Sequence, residues 1–221
     1  MKQILWFRRD LRITDSAILH FVKHDVLPIF IFDKNILNLL SKDDKRVTFI
    51  YKSVLNLKKE LKEIGLDLAI FYSTPKEVFS KLKNEGFENI LCSVDFDDYA
   101  KKRDEEISKI IPMQTFTDSF ITHPNDCLKA DGTPYKVFTP YYKNLSFIWD
   151  SYRLEEFKAN ENLKLISFDY EFIPTLEDMS FTAQKLPSFL EKNSEELLED
   201  FEQKIENYKV HRDFFDKNAT S

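Results

Sequence analysis

Gln3-Ile4-Leu5-Trp6-Phe7-Arg8-Arg9 starts the 221-residue chain with large apolar side chains that stop abruptly at two arginines. No polar residue alternates with the apolar ones over residues 4–7, so both faces of this segment should be covered, as in a central strand of a parallel sheet. Residues 26–32 repeat the pattern, with Pro28 near the start, and lead into Asp33. Three more such runs follow at residues 67–72, 89–94 and 113–117. The intervening segments carry helix signals. Residues 14–23 read as a helix with Thr14 or Asp15 as N-cap. Residues 46–64 place Val47, Ile50, Tyr51, Val54, Leu57, Leu61 and Ile64 at spacings of three and four, the stripe of an amphipathic helix. Gly65 follows at the position where a left-handed residue ends a helix. Thr74-Pro75-Lys76-Glu77 is a capping box with proline at the first helical position, and its helix ends at Gly86. Residues 99–111 form a further helix, stopped by Pro112.

Five strands alternating with helices predict an α/β fold, a Rossmann-like, doubly wound, five-stranded parallel sheet with right-handed crossovers. The periodicity then changes. Residues 123–150 contain the turn Asp131-Gly132-Thr133-Pro134 between two short apolar runs. Residues 151–175 have no sustained period and read as linker. Residues 187–208 form an acidic C-terminal helix, with Leu197, Leu198, Phe201, Ile205 and Tyr208 on one face that needs a partner. The expected division is an α/β domain over 1–125, a linker over 126–186 and a helical start over 187–221.

Composition narrows the function. Hydrophobic residues make up 43% of the chain and aromatic ones 14%, enough for a sizeable core and too many for a disordered chain. Only three glycines occur, at 65, 86 and 132, against roughly 15 at average usage. Their spacing excludes both the dinucleotide fingerprint GxGxxG and the phosphate-binding P-loop. No apolar run is long enough for a membrane span, and the first apolar block is too short for a signal peptide. Cys92 and Cys127 form no CxxC pair, which fits a reduced, cytoplasmic protein. A net charge of −6 makes the chain alone a poor grip for nucleic acid.

In open α/β sheets ligands bind beyond the carboxyl ends of the strands. There the sequence places Arg8 and Arg9, Asp33, Asp95 and Asp97, and Asp118. Singly, such aspartates cap turns and helices. Together they form a polar rim around a flat polar ligand, with Arg8 and Asp95 supplying directional hydrogen bonds. Three of the seven arginines are Arg8, Arg9 and Arg12, where the planar fork matters and a lysine would not serve. No nucleophile–base pair and no metal-ligand set stands out. His20 and His24 share one helix face, and solvation explains them better than a zinc site with no further ligands nearby.

Ile4-Leu5-Trp6-Phe7-Arg8-Arg9-Asp10-Leu11-Arg12 resembles the opening signature of the DNA photolyase/cryptochrome family. Four more blocks follow in family order: residues 26–33; Tyr99-Ala100-Lys101-Lys102-Arg103-Asp104; Gly132-Thr133-Pro134-Tyr135-Lys136-Val137-Phe138-Thr139-Pro140-Tyr141; and Tyr208, Arg212-Asp213-Phe214 and Thr220-Ser221. The resemblance implies an N-terminal antenna domain holding a light-harvesting chromophore, followed by a helical domain that holds FAD and binds damaged DNA. Light then drives electron transfer from reduced flavin to a flipped-out pyrimidine dimer.

The resemblance also implies site residues. Arg8, Arg46 and Asp95 match chromophore contacts of deazaflavin- and flavin-type members, and Asp33 joins them at its strand end. Folate-type members carry an Asn-Glu pair where this chain has Tyr99 and Ala100, which favours a deazaflavin or flavin antenna over folate; an empty antenna site is the alternative. Tyr208, Thr220 and Ser221 match FAD contacts, and Arg212 a DNA-phosphate contact; the bland readings are a packed helix residue for Tyr208 and a surface ion pair with Asp213 or Asp216 for Arg212. Ser16 stands where the family usually has Asn. The sequence is expected to stop where the flavin domain begins, so that the 221 residues alone do not repair DNA. A cryptochrome-type light receptor and a free-standing nucleotide-binding α/β module are the competing readings.

Overall fold

In a computed structural model of the chain, the described residues are 1–23, 25–120, 122–149, 156–170, 172–214 and 216–217. Five strands, β1 (Lys2–Phe7), β2 (Val26–Asp33), β3 (Ala69–Ser73), β4 (Phe87–Ser93) and β5 (Met113–Phe116), form one sheet in the order β3-β2-β1-β4-β5. All four neighbouring pairs are parallel, with Phe7 opposite Phe30 and Leu5 opposite Leu91. The strand order reverses at β1, so the switch point lies between β1 and β4.

Alternation within the strands builds two cores. Leu5 and Phe7 face one side of the sheet and Ile4 and Trp6 the other, as a two-residue period requires. On the first side, Ile18 and Leu19 of α1 (Ala17–Phe21) and Val54, Leu57 and Leu61 of α3 (Lys45–Glu63) pack against β1 and β2. The short α2 (Lys34–Leu37) lies between these helices in sequence. On the second side, Val78, Phe79 and Leu82 of α4 (Pro75–Asn84) and Ile107 of α5 (Asp98–Ser108) cover the sheet. Each fully buried Leu, Ile or Phe contributes about 1.5–3 kcal/mol by removal from water.

The capping box is present: the Thr74 hydroxyl accepts from Glu77 N, and Glu77 returns a bond to Thr74 N. Gly65 and Gly86 sit at φ +80° and +82°, which spares a Cβ the strain of the left-handed turn. The first helix is shorter than its sequence pattern predicts. Neither Thr14 nor Asp15 caps it: Ser16 holds the N-cap position without a side-chain bond, and Asp15 turns left-handed at φ 48° to accept from Phe157 N.

Residues 156–170 and 172–186 do not hang free. Val26 N donates to Lys164 O and Ile166 N to Val26 O, which adds a short parallel bridge at the start of β2. Ile166, Phe168 and Tyr170 join one core, and Leu176, Met179 and Phe181 the other. Lys58, buried beneath this strap, donates to Asp67, to Leu68 O at 2.7 Å and to Tyr170 Oη at 2.6 Å. Helix α6 (Phe138–Trp149) precedes the strap in sequence, and α7 (Ser194–Glu202) and α8 (Tyr208–His211) follow it. None of these three helices has a buried residue, and Phe147 of α6 is 76% exposed. Among the described residues no helix is long and apolar enough to cross a membrane.

Candidate functional site

The carboxyl ends of β1, β2 and β4 open into a cleft of about 480 Å³, within the size range of small-molecule sites. Arg8, Asp33, Arg46 and Asp95, the four antenna positions named from sequence, all line it. Phe30, Phe32, Ile36, Leu40 and Ile50 supply apolar wall. The chain reaches this arrangement by ending strands on polar residues. Asp33 closes β2 and caps α2 by accepting from Asn35 N at 2.9 Å. Asp97 caps α5 through Ala100 N. Arg46 comes from the first turn of α3, whose cap is Asp44.

Arg8 is the most constrained of the four. Its side chain is 6% exposed, and Nη1 donates to both oxygens of Asp104 at 2.9 and 2.7 Å. Nη2 donates to the carbonyl of Ser93 at the end of β4. Its guanidinium lies 4.8 Å from the Trp6 ring, and that of Arg103 lies 4.7 Å from the same ring. Arg103 shares Asp104 through its Nε at 2.9 Å. Among the described residues the buried Arg8 Nε is left without a hydrogen-bond partner, as are Ser16 Oγ and Arg103 Nη2. Arg8 therefore builds the floor of the cleft, with both Nη groups already committed.

The other three retain capacity. Asp33 accepts from Asn35 N and from the Tyr99 hydroxyl. Burial and that bond to Asp33 push the Tyr99 phenol up to about 12, so it stays a neutral donor. Asp95 accepts from Phe96 N at 3.0 Å and from Arg9 Nε at 3.2 Å. Each carboxylate has about four lone-pair positions, so a ring N–H can still be accepted. Arg46 is 73% exposed and bonded to Asp44, with Nε at 3.0 Å from Oδ1. Its bonds to Asp44 hold that carboxyl below the usual carboxylate range. The set offers acceptors on one flank, cationic donors on the rim and apolar walls, which fits a flat polar heteroaromatic ring.

Several residues that the sequence shows only as parts of family blocks support the cleft. Buried Asp10 accepts from Arg8 N at 2.9 Å and from Ser93 Oγ at 2.6 Å, which ties the ends of β1 and β4 together. Asp104, Arg103 and Tyr99 come from one face of α5, a spacing of four and five that only the sheet order turns towards Trp6. Arg12 and Asp118 do pair, at 2.8 Å, and Asp118 Oδ2 also accepts from Ala17 N. Burial pushes the Asp118 carboxyl up despite the Arg12 charge. Among the described residues no group of three His, Cys, Asp or Glu side chains is placed to hold a metal. His20 faces Lys158 O at 2.7 Å, and His24 lies outside the described residues.

Towards the C-terminus, Tyr208 is half-buried against Phe201 with ring centroids 5.8 Å apart. Arg212 lies 3.7 Å from Asp213 and 5.9 Å from the Tyr208 ring, exposed to solvent. Thr220 and Ser221 lie outside the described residues.

The family model for DNA photolyase matches residues 3–159. The chain is 36% identical over 154 residues to the deoxyribodipyrimidine photo-lyase of Alkalihalophilus pseudofirmus, covering 63% of this chain and 31% of that protein. It is 24% identical over 151 residues to cryptochrome-2 of Arabidopsis thaliana, covering 64% and 25%. Among solved structures, an archaeal photolyase from Sulfolobus tokodaii with two FAD molecules superposes at TM-score 0.64 and 26% identity, covering 75% of this chain and 39% of that one. A class III photolyase from Agrobacterium tumefaciens superposes at TM-score 0.71 and 19% identity, covering 99% and 48%, and shares the fold. The chain spans about a third of the length of the curated relatives it matches. With its five-stranded parallel sheet and this match over residues 3–159, the chain belongs to the DNA photolyase family.

Proposed function

We propose that this chain is the light-harvesting part of a photolyase: its α/β domain binds a flavin- or deazaflavin-type antenna chromophore in the cleft of Arg8, Asp33, Arg46 and Asp95. The observation that carries this reading is the convergence of those four residues, from three strand ends and one helix, on a single cleft of about 480 Å³. Arg46 and Asp95 are the contacts that grip the ring, and Arg8 holds the floor beneath it. The S. tokodaii relative, solved with two FAD molecules and described as implicating a novel light-harvesting cofactor, supports the flavin class. Tyr99 and Ala100 in place of the folate-type Asn-Glu pair point the same way.

In the complete protein the absorbed energy passes to FAD in a helical domain, which supplies the electron that splits pyrimidine dimers in DNA. In this reading Tyr208, Thr220 and Ser221 approach the FAD, and Arg212 meets a DNA phosphate. The 221-residue polypeptide is expected to bind the antenna and to show no light-dependent dimer splitting. The similarity to cryptochrome-2 supports a second reading, a blue-light receptor in place of a repair enzyme. Titration of the purified chain with FMN, FAD, 8-hydroxy-5-deazaflavin and a reduced folate, followed by fluorescence, tests the assignment. Flavin-class binding that weakens at least tenfold in an Arg46→Ala, Asp95→Ala double variant supports it; unchanged retention in that variant counts against it.

A further inference from the structure

The walls of the cleft are joined to one another. Asp33 ends β2, and Tyr99 lies in the first turn of α5, which follows β4. β1 lies between β2 and β4 in the sheet, so the two residues stand on opposite flanks of the β1 terminus. The Tyr99 hydroxyl nonetheless donates to Asp33 Oδ2 and accepts from Asn35 Nδ2 at 3.4 Å. Both residues line the cleft, so the bond joins two parts of its wall. The Tyr99 ring is backed by Arg103 at 5.8 Å, and Arg103 covers Trp6.

We propose that the Tyr99–Asp33 hydrogen bond is a latch on the wall of the chromophore cleft, and that Tyr99 is a positioning residue whose release frees Asp33 Oδ2 for the ring. This inference rests on the antenna reading of the same site. Three observations carry it. The bond joins residues 66 positions apart from different strand ends, so it is a tertiary closure and not a local cap. On the antenna reading Asp33 is an acceptor for a ring N–H, and the phenol occupies Oδ2, the oxygen that the α2 cap leaves free. Tyr99 is more than a third exposed, so its side chain has open space to swing into, whereas Asp33 is buried and fixed by the α2 cap.

A closed latch reduces observed affinity by the fraction of chains that are open. Removing the hydroxyl should raise that fraction and speed association. The experiment is stopped-flow and equilibrium binding of FMN to the 221-residue chain and to Tyr99→Phe, with near-ultraviolet circular dichroism to verify that both are folded. Asn35→Ala, which removes the weaker partner of the phenol, is the second variant. The expected result is an association rate constant at least about fivefold higher for Tyr99→Phe, a tighter Kd, a smaller gain for Asn35→Ala and an unchanged dissociation rate. Binding by Tyr99→Phe alone, with none by the parent chain, supports the latch equally. An unchanged association rate with faster dissociation would make Tyr99 an ordinary ligand contact and overturn the latch while leaving the antenna reading intact. If neither chain binds any flavin, both the latch and the antenna reading fall.

Discussion

Arg8 Nη1 lies 2.9 and 2.7 Å from the two carboxylate oxygens of Asp104, a residue 96 positions later on α5. The pair joins the end of β1 to the helix after β4 across the switch point. It also explains why the chain spends an arginine at position 8: a flat guanidinium can stack on Trp6 and bond sideways to Asp104 and Ser93 together, which an ammonium cannot.

Asp104→Ala leaves two buried guanidinium groups, those of Arg8 and Arg103, without their counter-charge. Loss of one partner of a buried pair costs about 3–5 kcal/mol. Urea unfolding should show the midpoint falling by the corresponding amount with an unchanged slope; a shift no larger than that of a surface substitution would contradict the assigned role.

The strap, residues 156–170 and 172–186, is part of the hydrophobic core. Met179 has no exposed surface and packs with Phe181 against the α3 side of the sheet. Met179→Ala should therefore destabilise the whole domain by about 2–5 kcal/mol in a single cooperative transition. A strap that melts separately, ahead of the main transition, would show that it only rests on the surface.

Glu77 contributes in a pH-dependent way. Its bonds from Ser73, Thr74 N and the Thr74 hydroxyl lower its pKa from 4.5 to about 2. A folded-state pKa depressed below the unfolded one gives stability that is present above about pH 4.5 and lost as pH falls through about 2. The stability difference between the parent and Glu77→Gln should shrink across that window. Thr74→Ala, which removes the cap itself, should cost about 1 kcal/mol at neutral pH.

Burial pushes the Cys92 thiol up to about 12. As the thiolate is the reactive species, Cys92 should resist alkylation at pH 8 in the folded chain and react once urea unfolds it. Peptide mapping after iodoacetamide treatment reads this directly; rapid native labelling at Cys92 would contradict its place inside the sheet.

Much of the fold is legible in residue order because strands and helices are local periods. The apolar runs at 4–7 and 26–32, the stripe from Val47 to Leu61 and the Thr74 box each identify their own element. Three of the cleft's lining residues, Arg8, Asp33 and Asp95, are legible because strand ends follow from strand boundaries, whereas Arg46 is legible only through the family resemblance. What escaped depends on pairing across long separations. Asp104 looks like an ordinary surface residue of α5, and Tyr99 only like a departure from the folate-type pair, until the order β3-β2-β1-β4-β5 turns that face towards Trp6. The strap has no period because it switches cores: Phe168 and Tyr170 join one, Met179 and Phe181 the other. Helix α6 was hidden by Pro140 and its run of aromatic residues, although proline is tolerated in a first turn.

Trp6 offers the most direct reading of whether the chromophore occupies this cleft. The chain has two tryptophans, so Trp149→Phe leaves Trp6 as the sole indole, with Arg8 and Arg103 against its ring. A flavin seated in the cleft should quench Trp6 emission in proportion to binding, saturating at one equivalent, and Arg46→Ala with Asp95→Ala in that background should shift the quenching to at least tenfold higher flavin concentration. Flavin that binds while Trp6 emission stays unchanged, or quenching that the double substitution does not shift, would place the chromophore elsewhere.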